Sequence, residues 1–192
     1  MSNIVSFPLS RASQSVPIEA LRARDPGAIA DLYRAQGNKV RAFATRMLGD
    51  PSLAEDVVHD VFVALPDALL GFRGDSQLST FLIGITVNVC RRRLRSRVRG
   101  HRAVKKMLAR EVEDEVLTPE AEARGRQLAD ALERGLESLS VDHREVIVLC
   151  AIQQRTSRDV AQILGIPEGT VRTRLMAARR RLGTFMREAG VR

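Results

Sequence analysis

Arginine is concentrated near the C-terminal end of the chain, in a stretch whose aliphatic residues have helical spacing. Val171 and Leu175 lie four residues apart and predict an inward face, with arginines at 172, 174, 179, 180 and 181 around it. Arginine pairs bidentately with guanine, and threonine contacts a base edge or a thymine methyl group. Arginines one or two turns further on suit phosphates, which position a protein without specifying a sequence. The residues predicted to face DNA are Thr170, Arg172, Thr173, Arg174, Met176 and Arg179.

The residues before this helix predict how it is held. Thr156 or Ser157 is expected to cap a short helix, and the small Ala161 lets a second helix cross it closely. Gly165 supplies the positive φ that ends the short helix, and Pro167 suits the first turn of the next one. This pattern is typical of a helix-turn-helix, whose second helix enters the major groove of DNA. The alternative is a basic amphipathic surface helix that has no target.

The composition agrees with a polyanionic partner. The chain of 192 residues carries 31 Lys and Arg against 23 Asp and Glu, for a net charge of +8. Nucleic acid is the first candidate for such a partner, and an acidic membrane surface is the second. Hydrophobic residues make up 44%, which indicates a folded protein. No apolar run is long enough to cross a membrane and no signal peptide is recognisable, so we expect a cytoplasmic protein without membrane insertion.

No constellation of catalytic or metal-binding residues is visible. His59, His101 and His143 are scattered, and the chain has no glycine loop of the phosphate-binding type. Cys90 and Cys150 lie far apart in apolar contexts, so we interpret both as reduced, buried thiols, with redox sensing as the alternative. The sequence therefore predicts a protein that is not an enzyme and needs neither metal nor cofactor.

The elements that position these residues all have helical spacing, which predicts an all-α fold of two small helical domains joined by a flexible linker. Residues 1–16 are predicted to be a loose tail. The first domain is expected at 17–100, with a break at Gly49–Ser52, and the second at 125–192, where Leu128, Leu132, Leu136 and Leu139 form a stripe.

The segment between the domains changes abruptly from basic to acidic residues. Arg91–Arg110 carries ten basic residues and no acid, whereas Glu111–Glu122 carries six acids and no base. A sign switch interrupted by Pro119 predicts a charged linker at 101–124. The alternatives are a single solvated helix and a linker that folds back on the basic stretch.

Two separate blocks of the sequence resemble one known family. Residues 139–182, LSVDHREVIVLCAIQQRTSRDVAQILGIPEGTVRTRLMAARRRL, resemble region 4 of bacterial sigma factors, which reads the promoter −35 element as duplex DNA. The blocks AEDVVHDVFVAL (54–65), FRGDSQLSTFL (72–82) and ITVNVCRRRLRS (85–96) resemble region 2 of the extracytoplasmic-function (ECF) group. The resemblance implies an alternative sigma factor that binds core RNA polymerase and directs promoter-specific initiation.

Region 2 of this family melts the −10 element and captures an extruded base of the non-template strand. Base flipping costs a few kcal/mol, so it needs a shaped pocket and cationic guidance. The family often has Trp where Phe81 stands, and Ala177 stands where relatives often carry Arg. The resemblance implies the following −10 contacts: Arg73, Asp75, Ser76, Phe81, Asn88, Arg91, Arg92 and Arg95.

The helix that resembles residues 54–65 docks, in the family, on the clamp helices of the largest polymerase subunit. Its polar residues here are Glu55, Asp56, His59 and Asp60, which the resemblance assigns to core polymerase binding. A solvated acidic helix face is the alternative. The resemblance further implies contact with the polymerase flap and control by an anti-sigma factor.

Two other functions fit the same residues. A free-standing helix-turn-helix regulator would bind its operator tightly without polymerase, and its N-terminal half would only dimerise. An adaptor that binds a regulator of sigma activity would give no promoter-specific transcripts. Initiation by purified core polymerase plus this chain distinguishes all three.

Overall fold

The computed structural model of the protein describes residues 17–100 and 119–190, and in these ranges the fold is all-α, as predicted. Residues 1–16 and 101–118, which cover the predicted tail and most of the predicted linker, lie outside the described residues. The described part contains eight α-helices, and a π-helical turn, Val148–Ile152, continues α6. The helices are α1 Ile18–Arg22, α2 Pro26–Leu48, α3 Pro51–Leu69, α4 Leu78–Gly100, α5 Pro119–Ser138, α6 Val141–Ile147, α7 Ser157–Leu164 and α8 Glu168–Glu188.

Helices α1–α4 form the N-terminal unit, and local side chains set their ends. Gly49 has φ 66°, which ends α2 in the left-handed conformation that glycine adopts without strain. The Asp50 carboxylate then accepts the amides of Ser52 at 3.0 Å and Leu53 at 3.2 Å, and Pro51 occupies the first turn of α3. The predicted break between these two helices is confirmed.

The apolar faces of α1–α4 meet in one core. The fully buried residues come from all four helices and include Phe43 of α2 and Leu65 of α3. The aromatic rings of Tyr33 and Phe62 pack with centroids 5.1 Å apart at the edge of this core, which leaves Tyr33 41% exposed. The core thereby fixes α3 and α4 side by side, with their polar faces outward.

Helices α5–α8 form the C-terminal unit. Gly135 of α5 lies where α8 crosses closely, because a Cβ there would meet Leu182 Cδ1 at 2.5 Å and Phe185 Cδ1 at 3.1 Å. Of the predicted leucine stripe, Leu132, Leu136 and Leu139 pack against the core, whereas Leu128 is 49% exposed. Helix α5 begins at Pro119, so residues 119–124, which the sequence assigned to the linker, are helical.

The two units pack against each other rather than lying apart. Arg144 of α6 is buried and donates to the Met47 carbonyl at 2.6 Å and to the Glu137 carbonyl at 2.7 Å. It thus ties the end of α2 to the end of α5, satisfying carbonyls that a helix end leaves without intrahelical partners. Buried hydrophobic residues of both units belong to one continuous cluster.

Candidate nucleic-acid interface

The turn between α7 and α8 has the geometry that its sequence predicts. The Thr156 hydroxyl accepts the Asp159 amide at 3.1 Å, and the Asp159 carboxylate accepts the Thr156 amide at 3.3 Å. This reciprocal capping box starts α7, and Gly165 ends it with φ 66°. Pro167 is the N-cap of α8 rather than its first helical residue. Val171 and Ala178 are buried, which fixes the rotation of α8 about its axis.

The opposite face of α8 carries most of the predicted −35 residues. Met176 is 71% exposed, and a methionine so exposed on a basic helix has no role in the core. The side chain of Arg172 is 70% exposed and pairs with Glu168 one turn earlier at 2.5 Å. Thr173 and Arg179 are exposed and Thr170 is half-buried, with the Thr173 hydroxyl donating to the Thr170 carbonyl at 3.0 Å.

Arg174 differs from the other predicted −35 residues. Its side chain is 28% exposed and its Nη2 lies 2.7 Å from the Asp142 Oδ2 atom of α6. The guanidinium therefore points toward α6 of its own unit in the free protein. The residues predicted to follow the recognition face, Arg180 and Arg181, are both exposed.

The predicted −10 residues begin in the loop between α3 and α4. Arg73 and Asp75 are exposed and Ser76 is half-buried. The rings of Phe72 and Phe81 pack with centroids 4.7 Å apart. Phe72 is 9% exposed and serves the core, whereas Phe81 at the start of α4 stays half-buried and keeps one part accessible.

Arg91 and Arg92 of α4 have acidic partners within the protein. Arg91 pairs with Glu145 of α6, with both of its hydrogen bonds at 2.6 Å. Arg92 lies 3.6 Å from the Asp60 carboxylate of α3, and its side chain is 69% exposed. Asn88 and Arg95 are exposed. The sequence indicates the basic character of this face but carries no signal for the long-range pair with Glu145.

The predicted polymerase-binding face of α3 is exposed but not purely acidic. Arg41 of α2 donates to both carboxylate oxygens of Glu55. Arg93 of α4 lies 3.1 Å from Asp56 and 2.7 Å from Asp60, and the hydrogen bond with Asp60 is the main reason that the pKa of Arg93 is raised.

His59 is exposed on the same face. We call this face, with its two arginines, the α3 mosaic: Arg41, Glu55, Asp56, His59, Asp60 and Arg93. Neither Arg41 nor Arg93 is predicted on this face from the sequence, because their positions there follow from helix packing.

The two cysteines differ in environment. Cys90 is fully buried, as predicted, and burial raises the pKa of its thiol to about 12. Cys150 is only half-buried, so the prediction of a buried thiol was wrong there, and desolvation raises its pKa. Among the described residues there is no cluster of His, Cys, Asp and Glu that fits a metal ion, and no helix has the length and apolarity needed to cross a membrane.

Comparison with known proteins identifies both units. The family model of sigma-70 region 2 matches residues 32–100, and that of sigma-70, region 4, matches residues 129–182. Together these matches cover more than half of the chain, in the order that the two sequence blocks predict. The ECF RNA polymerase sigma factor SigW of Bacillus subtilis is 28% identical over 180 residues, which cover 89% of this chain and 95% of SigW. This chain belongs to the ECF group of sigma factors.

Other relatives and solved structures agree with the assignment of this chain to the ECF group. The ECF RNA polymerase sigma-E factor of Escherichia coli K12 is 29% identical, over 87% of this chain and 91% of its own. The solved structure of CnrH in complex with the cytosolic domain of CnrY has a TM-score of 0.62 and 25% identity, covering 89% of this chain and 95% of CnrH. The sigma factor RpoE of Bartonella quintana, solved with the anti-sigma factor NepR, shares the fold with a TM-score of 0.65, at 24% identity, covering 82% of this chain and 97% of RpoE.

The sigma factor is an alternative one that directs transcription initiation, since both regions and the ECF relatives point to that activity. A free-standing helix-turn-helix regulator is not favoured, because the N-terminal unit matches region 2 rather than a dimerisation module.

Proposed function

We propose that the exposed face of α8 reads the promoter −35 element, with Arg172, Thr173 and Met176 at base edges and Thr170 and Arg179 at phosphates. The observation that carries this proposal is the orientation of α8, whose Val171 and Ala178 are buried while Arg172 and Met176 stand out into solvent. Because the pair between Arg172 and Glu168 lies within α8 and is exposed, the guanidinium exchanges Glu168 for a guanine at little cost. Arg174, held by Asp142, is proposed to support this face from its edge.

The −10 element is proposed to bind the N-terminal unit, at the loop after α3 and along α4. Arg73, Asp75 and Ser76 supply donors and acceptors at the loop, and the accessible part of Phe81 offers a surface on which a base can stack. Asn88, Arg91, Arg92 and Arg95 follow along one helix and supply the positive charge that tracks a strand.

The α3 mosaic is proposed to dock on the clamp helices of core polymerase, with the C-terminal unit reaching the flap. Carboxylates on a protein of net charge +8 keep this face away from DNA and suit a partner that carries basic residues. Arg41 and Arg93 add positive charges among the carboxylates of this face. Such a face suits a partner surface that also carries both positive and negative charges. The protein is proposed to act in the cytoplasm, as a binding factor without catalysis of its own.

An anti-sigma factor is a proposed further partner. RpoE was solved in complex with the anti-sigma factor NepR, and CnrH in complex with the cytosolic domain of CnrY. This chain shares their fold, and its two units are packed together. The packed units form one surface to which a protein could bind across both.

Transcription by purified core polymerase tests the proposal. The template is a promoter library randomised at the −35 and −10 elements, and the transcripts are sequenced with and without the sigma factor. Selected initiation that needs both proteins is expected. Arg172→Ala is expected to cost roughly 1–3 kcal/mol at one −35 position and to relax the preference there.

Arg187→Ala is the matched control, because Arg187 is an exposed arginine at the far end of α8 that donates to the Thr184 hydroxyl at 3.0 Å. It lies beyond the proposed reading face, so the selected −35 sequence is expected to be that of the unaltered protein. The same sequence preference in the Arg172→Ala and Arg187→Ala proteins would contradict the assignment of α8. Specific DNA binding without polymerase would instead support a free-standing regulator, and the absence of promoter-specific transcripts would support an adaptor.

A further inference from the structure

Arg22, the last residue of α1, binds the backbone where the loop between α3 and α4 begins. Its Nε atom donates to the Leu69 carbonyl at 3.0 Å, and its Nη2 atom donates to the Phe72 carbonyl at 2.9 Å. The Nη1 atom donates to the Glu19 carboxylate, one turn earlier in α1, at 2.7 Å. All three nitrogens of one guanidinium are therefore engaged, and two of them hold the start of the loop.

The end of α3 differs from the ends of α2 and α7. Gly49 and Gly165 end those helices with φ 66°, the left-handed conformation in which backbone amides satisfy the last carbonyls. Leu70 after α3 keeps right-handed angles, with φ −59° and ψ −30°, and Gly71 does not have a positive φ. A short turn of backbone hydrogen bonds and the Arg22 guanidinium take the place of such a cap. The direction in which the loop leaves α3 thus depends on a side chain of another helix.

Phe72, whose carbonyl Arg22 binds, supports the residue proposed to stack on a base. The Phe72 ring is largely buried and packs against Phe81 with centroids 4.7 Å apart. A shift of the backbone at residue 72 would therefore move the surface against which Phe81 rests. Arg73 and Asp75, which follow, are exposed. The chain leaves the body of the protein directly after the carbonyl that Arg22 holds.

Helix α1 has only five residues, but its position is fixed by packing. Leu21 is fully buried in the core of the N-terminal unit. Arg24, just after α1, lies 2.6 Å from the Asp67 carboxylate of α3. The Arg22 side chain is 29% exposed, so its bonds to the two carbonyls are partly shielded from water. Hydrogen bonds in such a setting are stronger than in open solvent.

We propose that Arg22 is a positioning residue for the −10 element, which fixes the loop at residues 70–77 so that Phe81 and the loop side chains are ordered before a base leaves the duplex. The proposal rests on the proposed function of this loop at the −10 element. Capture of an extruded base competes with stacking in the duplex, and a loop that is already ordered loses less freedom on binding. The planar guanidinium presents its donors in a fixed fork, which a lysine ammonium does not reproduce.

Arg22→Lys in the full chain tests the proposal, because it keeps the charge and removes the fork. The protein is combined with core polymerase on promoters that share one −35 element and vary at −10, and opening is followed by the permanganate reactivity of unpaired thymines. Discrimination between −10 sequences is expected to fall about tenfold, the effect of losing about one charge-assisted hydrogen bond. The −35 preference and the affinity for core polymerase are expected to be those of the unaltered protein, which a general loss of folding would not allow.

Glu19→Gln is the second variant, and it acts on the loop only through Arg22. The Glu19 side chain is 81% exposed, so this protein is expected to fold normally. Loss of an acid by itself favours DNA binding. A fall in −10 discrimination, expected to be about twofold, would therefore come from the looser guanidinium and not from net charge.

Arg24→Gln is the matched control. It removes an arginine two residues away that binds the Asp67 side chain, at 2.6 Å, instead of the backbone of the loop. Its −10 discrimination is expected to be that of the unaltered protein.

Unchanged −10 discrimination in an Arg22→Lys protein that unfolds at the usual urea concentration would overturn the proposal. An equal loss in Arg24→Gln, or an equal loss at the −35 element, would overturn it as well, since charge or folding would then explain the effect. If Arg22→Lys does not fold, Glu19→Gln decides by the same measurements.

Phe81→Ala tests the proposed function of the loop separately. Unchanged opening and unchanged −10 discrimination in that protein would contradict the −10 assignment itself. A loss in Phe81→Ala without a loss in Arg22→Lys would overturn only the positioning by Arg22.

Discussion

The Arg174 guanidinium of α8 lies 2.7 Å from the Asp142 carboxylate of α6, two helices earlier in the chain. This contact separates Arg174 from Arg172, although the two residues are similar in sequence context and only two positions apart. Arg172 extends into solvent from α8, whereas Arg174 links α8 to the body of its unit. In the proposed reading of the −35 element by α8, Arg172 belongs to the face that contacts the bases and Arg174 fixes the angle of the helix.

We expect Arg174→Ala and Asp142→Asn to lower binding to all −35 sequences to a similar extent, without relaxing one base position. The reason is that both changes remove a link that orients α8 rather than a contact to a base. Because the pair is partly exposed, the loss in unfolding free energy is expected to be only about 0.2–1 kcal/mol. Binding to a set of single-position −35 variants, compared with Arg172→Ala, checks this prediction. A loss confined to one base position in Arg174→Ala would assign it to base reading.

Two glycines of the helix-turn-helix are expected to respond oppositely to alanine. A Cβ at either Gly165 or Gly169 meets nothing within 4 Å, so space does not distinguish them. Gly165 has φ 66°, whereas Gly169 lies within α8. Gly165→Ala is expected to destabilise by about 1–2 kcal/mol, and Gly169→Ala to stabilise by roughly 0.5–1 kcal/mol. Chemical denaturation of the full chain measures both changes, and equal shifts would show that the turn is not left-handed.

The two thiols are expected to react with iodoacetamide at different rates. The thiolate is the reactive form, and burial raises the pKa of Cys90 to about 12, so at pH 8 its thiolate population is very small. Cys150 is half-buried, and its pKa is raised by desolvation while nearby Arg179 lowers it. As pH rises from 7 to 10, we expect Cys150 to be alkylated before Cys90. Mass spectrometry measures the extent of alkylation at each cysteine. Urea is expected to equalise the two rates, and faster labelling of Cys90 in the folded protein would contradict its burial.

Local signals were sufficient for much of the fold. The caps of α3 and α7 are Asp50 and Thr156, and each accepts a hydrogen bond from a backbone amide no more than three residues away. The starts of these two helices could therefore be predicted from the sequence alone. Gly165 marked the turn of the helix-turn-helix for the same reason.

Long-range partners did not follow from such signals. The partner of Arg91 is 54 residues away, and only the packing of α4 on the C-terminal unit brings it close. Arg41 and Arg93 joined the acids of α3 in the same way, through the packing of three helices. The charge of each predicted site was therefore predictable, whereas the internal partners of that charge were not.

The acids and arginines of the α3 mosaic are expected to affect polymerase binding with opposite signs. Asp60 is shared by Arg92 and Arg93, and its side chain is 30% exposed. Asp60→Asn removes a carboxylate that the proposal places against basic residues of the clamp, so we expect slower association with core polymerase. Arg93→Gln removes the cation that pairs with both Asp56 and Asp60 and leaves Asp60 only its longer contact with Arg92, so we expect faster association at low salt and a steeper salt dependence.

Stopped-flow binding of the labelled sigma factor to core polymerase measures these rates over a range of salt concentrations. Arg34→Gln and Asp31→Asn are the matched controls, since they break a similar exposed pair on α2 with the same changes in charge. Rates that follow net charge alone, equally in the mosaic and control variants, would argue against docking through α3. Slower association in both Asp60→Asn and Arg93→Gln would instead show that polymerase recognises the ion pair as a unit, because each variant then removes part of one shared surface.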